Sequence, residues 1–232
     1  MMPTDKQLHL CERMYNLEIA AHFQTSSELG GDAWGMQPLS ESRMALWCYD
    51  FSGHGMLAAM NVFRMHAIMQ ECLQYAAEPG HYLMHLNKRL CGLLDKHEFA
   101  TMFYGVIDVE SNCLLYASAA APQPILSIEG DRPFALPTAG LPLAVLQDAI
   151  YETQYAPFPA NALFMLYSDG LIETPDSNGQ MISESMLFDC MTRTLSGTKT
   201  PAASMKNDVL GLLGERQNFI KDDITLALFH RL

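Results

Sequence analysis

The sequence predicts an α+β fold built on antiparallel sheets. Apolar strand-like runs follow one another in hairpin order, and the helical stretches come in pairs. Alternating βαβ units would interleave the two kinds of element instead. The length of 232 residues fits one domain with a short appendage, at about 150 residues per domain.

The elements can be taken in chain order. Residues 4–16 read as a short helix, because Thr4-Asp5-Lys6-Gln7 fits a capping box and Leu10, Met14 and Leu17 follow at helical spacing. Leu17 to Gln24 alternates like a strand, and Met44 to Phe51 is a compact apolar run of the buried-strand kind. Residues 56–76 read as a helix with Asn61, Arg64, Glu71 and Gln74 on its polar face. Pro79-Gly80 breaks it, and a second helix runs to about Lys96. Strands at 99–109 and 113–119 flank the hairpin signal Glu110-Ser111-Asn112. Gly, Pro and Asp punctuate residues 121–145, and strands follow at 149–156 and 162–168. Helices are expected near 183–195 and 201–213, the second entered through Thr200-Pro201 and stopped at Gly214. Ile224 to His230 is the last strand.

Composition narrows the function. The chain is 49% hydrophobic and 17% charged, which supplies a sizeable core and excludes a disordered or fibrous protein. Fourteen basic residues against 26 acidic ones give a net charge of −12. No basic patch exists for nucleic acid, so no nucleic-acid partner is expected. A protein handling phosphate with so few cations would need metal ions. No apolar run reaches the ~18 residues of a membrane span, and Met1 to Glu12 lacks the apolar stretch of a signal peptide. The six cysteines never fall in a C-x-x-C pattern and read as reduced, buried thiols. The expectation is a cytoplasmic protein with no membrane partner.

Certain aspartates stand at strand ends or beside glycines, where a ligand can approach the backbone. Asp32 follows Gly30-Gly31, and Asp50 ends a buried strand before Phe51-Ser52-Gly53-His54-Gly55. Asp169 ends the run ALFMLYS and precedes Gly170, while Asp222 and Asp223 open the last strand. Mg²⁺ and Mn²⁺ prefer carboxylate, carbonyl and water oxygens. Three or four converging aspartates would make a two-metal site able to bridge a water and clamp a phosphoryl group. Each aspartate alone reads first as a turn or cap residue.

GGD at 30–32, YDFSGHG at 49–55, FATMFYGVID at 99–108, YSDGLIE at 167–173 and DDIT at 222–225 occur in one order. This set resembles the metal-dependent serine/threonine phosphatases, in the bacterial branch typified by SpoIIE and RsbU, over roughly residues 17–231. The resemblance implies a four-layer α/β/β/α sandwich, two antiparallel sheets flanked by helix pairs. It implies two Mn²⁺ or Mg²⁺ ions. Asp50 would bridge both, the Phe51 carbonyl would bind one, Asp32 would act largely through water, and Asp169 and Asp222 would hold the second. Asp50 and Asp32 would be the catalytic pair. Asp222 is preferred to Asp223 because the family uses the first acid of that pair.

The implied reaction is hydrolysis of phosphoserine or phosphothreonine on a signalling partner, an anti-sigma-factor antagonist, by a metal-activated water. A non-catalytic binding module with the same fold is the alternative reading; retention of all four aspartates argues against it. A hydrolase acting on small or nucleic-acid phosphates is a third, disfavoured by the charge. The resemblance further suggests an upstream receiver or sensor domain, for which the chain would be an output domain, and a possible homodimer. Residues 1–16 would be a helical stub that links to that regulator, packs on or near the helix at 56–76, or dimerises, and 17–232 the catalytic domain. Only 16 residues precede the first strand, so the chain would be an excised domain or have a separate regulator.

The sequence departs from the family in three places. Ala33-Trp34 stands where two aromatics are usual, Gly35 where a second acid often follows, and Ala120 to Pro124 where Gly-His-Pro-Pro is common. The family's phosphate-gripping arginine has no clear match. His54 resembles a histidine that relatives place near the site, at a larger offset, and is read as a turn residue rather than a general acid. His81 and His85 could pair on a metal but lack a third ligand nearby, so a plain helix face is expected. Trp34 and Trp47 are expected to pack, and Glu173 reads as either a support for the site or a surface acid.

Overall fold

The computed structural model describes residues 2–53, 55–129, 131–176, 178–195 and 201–232, the side chains of 215, 217 and 218 excepted. Among these residues ten strands form two five-stranded sheets, and every pairing between these strands is antiparallel. One sheet has the order β2(Asp32–Pro38), β3(Arg43–Phe51), β4(Ala100–Asp108), β5(Cys113–Ala119), β8(Gln154–Pro157). The other runs β1(Leu17–Gln24), β10(Ile224–Arg231), β9(Leu163–Tyr167), β6(Ile125–Ser127), β7(Phe134–Ala135). Six helices accompany them: α1(Asp5–Tyr15), α2(Met56–Glu71), α3(Pro79–Cys91), α4(Asp169–Glu173), α5(Glu184–Leu195) and α6(Pro201–Leu213).

The strands are apolar on both faces because both faces are covered. Along β3, Met44, Leu46 and Cys48 point between the sheets, while Ala45, Tyr49 and Phe51 point toward α2 and α3. Along β9, Phe164 and Leu166 face the first sheet, while Leu163, Met165 and Tyr167 face α5 and α6. The core therefore has three storeys, one under α2/α3, one between the sheets and one under α5/α6. Three storeys separate four layers, the α/β/β/α sandwich expected.

The middle storey is held by aromatic side chains. Phe164 packs on Phe103 and Phe229 with ring centres 5.8 and 6.2 Å apart, and Trp34 meets Phe229 edge-on. Trp34 thus packs, as expected. Truncating a buried Phe of this kind costs about 3–5 kcal/mol. Helix α1 closes one end of this storey. Thr4 and Gln7 form the expected capping box. Cys11 and Tyr15 enter the core, and the Tyr15 hydroxyl donates to the carbonyls of Ser40 and Arg43. Trp47, half-buried, faces a cleft of about 500 Å³ between α1 and α2.

Several elements differ from expectation. The helix at 56–76 ends at Glu71, a 3₁₀ turn takes over at Leu73–Tyr75, and the next helix stops at Cys91 rather than Lys96. Asn61 does not lie on a solvated face: it is 1% exposed, while Met56, Leu57, Met60 and Phe63 are exposed on the same helix. The helix is apolar nearly all round, so periodicity could not orient it. The strand expected at 149–156 forms only at Gln154–Pro157. Strand β2, the short β6 and β7, and the single turn α4 were not legible. Gly214 bends the chain into a 3₁₀ turn, Gly214–Phe219, rather than ending helical structure. Thr200 lies outside the described residues. At the start of α6, the Glu18 carboxylate of β1 accepts from the amides of Ala202 and Ala203. This supplies acceptors for helix donors that would otherwise lack partners. His85 stacks on Tyr75 at 3.6 Å, so that helix face is a packing surface.

Candidate metal centre

The site forms where two strand ends of each sheet meet. In the first sheet, Asp32 opens β2 and lies directly opposite Asp50 near the end of β3. In the second, Asp169 opens α4 just after β9, and Asp222 stands two residues before β10, the neighbour of β9. Asp50, Asp169 and Asp222 each present a carboxylate oxygen, and these oxygens lie within 4.8 Å of one another. Asp50 and Asp169 are half-buried and Asp222 is exposed.

Backbone completes the geometry. The Phe51 amide donates to the Gly31 carbonyl at 3.3 Å. A Cβ on Gly31 would stand 3.0 Å from the Phe51 carbonyl oxygen, 3.2 Å from Ala58 Cβ and 3.4 Å from Asp50 Oδ1. The carbonyl and the carboxylate therefore flank one point above Gly31, which only glycine leaves free.

Asp32 sits one layer deeper, 3% exposed, and is not among the three clustered acids. Its Oδ2 accepts from the Thr225 hydroxyl at 2.7 Å, and it lies beside the Asp50 carboxylate. Asp223 faces away from the cluster. Its carboxylate accepts from the amides of Ser26, Gly31 and Asp32 and from the Ser26 hydroxyl. It thereby clips the turn before β2 to the start of β10. The Ser168 hydroxyl accepts from the Thr225 amide and donates to the Asp223 carbonyl, locking β9 to β10 beside the acids. Sequence reasoning missed Asp223, Thr225 and Ser168 as organisers. The available signal was the hydroxyl residue three positions after Asp222 and the serine preceding Asp169.

The electrostatics are unfavourable as the side chains stand. Burial, then the carboxylates of Asp32 and Asp169, push the Asp50 carboxyl far above the usual carboxylate range. Burial also raises Asp32, against the pull of the neighbouring Ser168 and Thr225 hydroxyls, of which Thr225 donates to it directly. Burial, then Asp222 and Glu173, raises Asp169. Among the described residues no Lys or Arg pairs with any of these four acids. Like charges crowded in a low-dielectric pocket raise each other's pKa unless a cation intervenes. The donor set is all oxygen, three carboxylates with a carbonyl beside them, and suits hard divalent cations. The residues present fit such ions. Glu173 is exposed at the end of α4, close enough to act on Asp169. His54 lies outside the described residues.

A family profile for Stage II sporulation protein E (SpoIIE) matches residues 40–232. The chain belongs to the SpoIIE family. Among curated proteins it is similar to the phosphoserine phosphatase RsbP of Bacillus subtilis, 22% identical over 198 residues, 84% of this chain and 47% of RsbP. It is also similar to the phosphoserine phosphatase RsbU of the same organism, 25% identical over 225 residues, 93% of this chain and 63% of RsbU. The chain thus spans less than two thirds of either relative. Its fold matches the SiaA-PP2C domain of Pseudomonas aeruginosa with a TM-score of 0.83 at 17% identity, covering 97% of this chain and 89% of that one. Within the SpoIIE family match lie Asp50, Asp169 and Asp222; Asp32 precedes it. No described helix is long and apolar enough to cross a membrane.

Proposed function

We propose that this chain is a metal-dependent phosphatase that hydrolyses phosphoserine or phosphothreonine on a signalling protein. The observation that carries this reading is the convergence of Asp50, Asp169 and Asp222 within 4.8 Å from opposite sheets. Two divalent ions, Mg²⁺ or Mn²⁺, would supply the positive charge that activates water and neutralises a phosphoryl group. Asp50, placed between the acids of both sheets, would be shared by the two. Asp169 and Asp222 would hold one ion and the Phe51 carbonyl the other.

The chain's own residues then do four things. Asp32, oriented by Thr225, would accept a hydrogen bond from water on the Asp50 side. Asp223 and Ser168 fix the turn and strand that carry the ligands. Gly31 leaves open the point flanked by Phe51 and Asp50. The surrounding acids reject a phosphate dianion until the cations are in place, which makes activity depend on metal.

The membership in the SpoIIE family and the likeness to RsbU and RsbP support a protein substrate of the anti-sigma-factor antagonist kind. They also support an upstream receiver or sensor domain acting on this one, with a homodimer as the assembly. The site is open to a partner's surface, since Asp222 is exposed. A cytoplasmic location follows from such a partner.

The test is release of phosphate from a phosphoserine antagonist protein, with p-nitrophenyl phosphate in parallel, at graded Mn²⁺. Metal-dependent turnover of both substrates supports the reading. Turnover of the small substrate alone would narrow it to a general phosphatase. Binding of the phosphoprotein without turnover at any metal concentration would favour a non-catalytic module.

A further inference from the structure

We infer that Asn61 is a positioning residue that sets the Phe51 carbonyl toward its ion; this rests on the metal-site reading above. Asn61 is a buried amide, 1% exposed, in a helix whose first two turns are otherwise apolar. A buried amide is retained only where its hydrogen bonds are satisfied. Its Nδ2 donates to Glu98 Oε1 at 2.8 Å, and its Oδ1 accepts from Arg64 Nη1 at 3.0 Å. Glu98 is itself fixed, because its other oxygen accepts from the Asp95 amide.

Glu98 is bonded in the chain to Phe99, and Phe99 makes a reciprocal pair with Ser52. The Ser52 amide donates to the Phe99 carbonyl at 2.9 Å, and the Phe99 amide donates to Ser52 Oγ at 3.0 Å. Ser52 is covalently next to the Phe51 carbonyl. On the other side, Ala58, three residues before Asn61, sits against Gly31 where Phe51 and Asp50 converge. The contacts close a ring, from Phe51-Ser52 through Phe99-Glu98 to Asn61, along α2 to Ala58, and through Gly31 back to Phe51. The Asn61–Glu98 bond is the side-chain link that closes it. Without that bond, the first turns of α2 keep their packing and one long bond, from the Tyr49 hydroxyl to the Val62 carbonyl at 3.4 Å, and no side chain caps the helix.

The test is Asn61→Asp, which sets two carboxylates against each other, with Asn61→Asp/Glu98→Gln as the rescue. In the double variant the amide sits at 98 and the carboxylate at 61, so the bond re-forms with donor and acceptor exchanged. Three readouts apply: Mn²⁺ affinity by calorimetry, the kcat and half-saturating Mn²⁺ for p-nitrophenyl phosphate, and exchange of the Ser52 and Phe99 amides by NMR.

The expected single-variant result is a loss of Mn²⁺ affinity of about tenfold, of the size seen when a metal ligand loses its support. The kcat at saturating metal should fall much less, and both amides should exchange faster, with wild-type values returning in the double variant. Unchanged Mn²⁺ affinity in folded Asn61→Asp would overturn the inference alone. Failure of the double variant to recover would overturn it too, as a merely damaged helix would not be rescued. A wild-type chain that binds no Mn²⁺ would overturn the metal reading and this inference with it.

Discussion

Asp32 and Asp50 stand directly opposite each other across the β2–β3 ladder, close enough for each carboxylate to act on the other. Two carboxylates in register normally destabilise a sheet. Here one is 3% exposed and the other half-buried, and among the described residues no basic side chain is paired to either. Such an arrangement persists where function uses the repulsion, and a pair of cations would relieve it.

The first prediction follows from that tension. Asp50→Asn removes the most crowded charge. Without metal, the variant should melt a few degrees higher than wild type, as measured by calorimetry. With Mn²⁺ the order should reverse, because only wild type gains binding free energy in the folded state. A variant less stable than wild type without metal would show that Asp50 is not electrostatically strained.

Thr225→Val keeps the shape and removes the hydroxyl that donates to Asp32 at 2.7 Å. A hydrogen bond to a charged group contributes about 1.5–3 kcal/mol. The variant should fold, and its phosphatase activity should fall about tenfold, as for other supports of metal ligands. Wild-type turnover would remove Asp32 from the working site.

The adjacent acids should separate cleanly. Asp223 takes four donors and is 3% exposed, so Asp223→Ala leaves the amides of Ser26, Gly31 and Asp32 without that acceptor. It should destabilise the fold by roughly 3 kcal/mol in urea titration, since each buried donor left unsatisfied costs about 1–3 kcal/mol. Asp222→Ala, at an exposed position, should leave the urea midpoint near wild type while weakening Mn²⁺ binding. Equal effects of the two on stability would contradict the division of roles.

A pH effect is expected far from the site. Burial raises the Asp108 carboxyl, but the Ser111 amide and the Arg43 guanidinium outweigh it and hold the group below its ordinary 3.8. The folded pKa is therefore below the unfolded one. The resulting stability is fully present above the unfolded value and is lost as pH falls through the folded value. Asp108→Asn should flatten the acid limb of the stability curve below pH 3.8; an unchanged acid limb would contradict the assignment.

Much of the fold is legible in the sequence where one local signal dominates. The capping box of α1, the long apolar runs of β3 and β4, and the hairpin at Glu110-Ser111-Asn112 declare themselves. Strand β2 is hidden because its alternation is interrupted at Gly35, where a Cβ would meet the Trp47 ring. Strands β6 and β7 are three and two residues long and take their form from pairing with β9 and each other, which no local pattern encodes. At the site, the motif order marks the four aspartates. Their division into three clustered acids and a deeper Asp32 depends on how two sheets stack. Asn61 escaped because its partner, Glu98, arrives from 37 residues away.

The central claim is that this acidic cluster holds two divalent ions. Calorimetric titration of Mn²⁺ into the wild-type chain and into Asp50→Asn at neutral pH tests it most directly. The account predicts two ions per wild-type chain and loss of that binding in the variant. No binding by wild type, or equal binding by the variant, would contradict it.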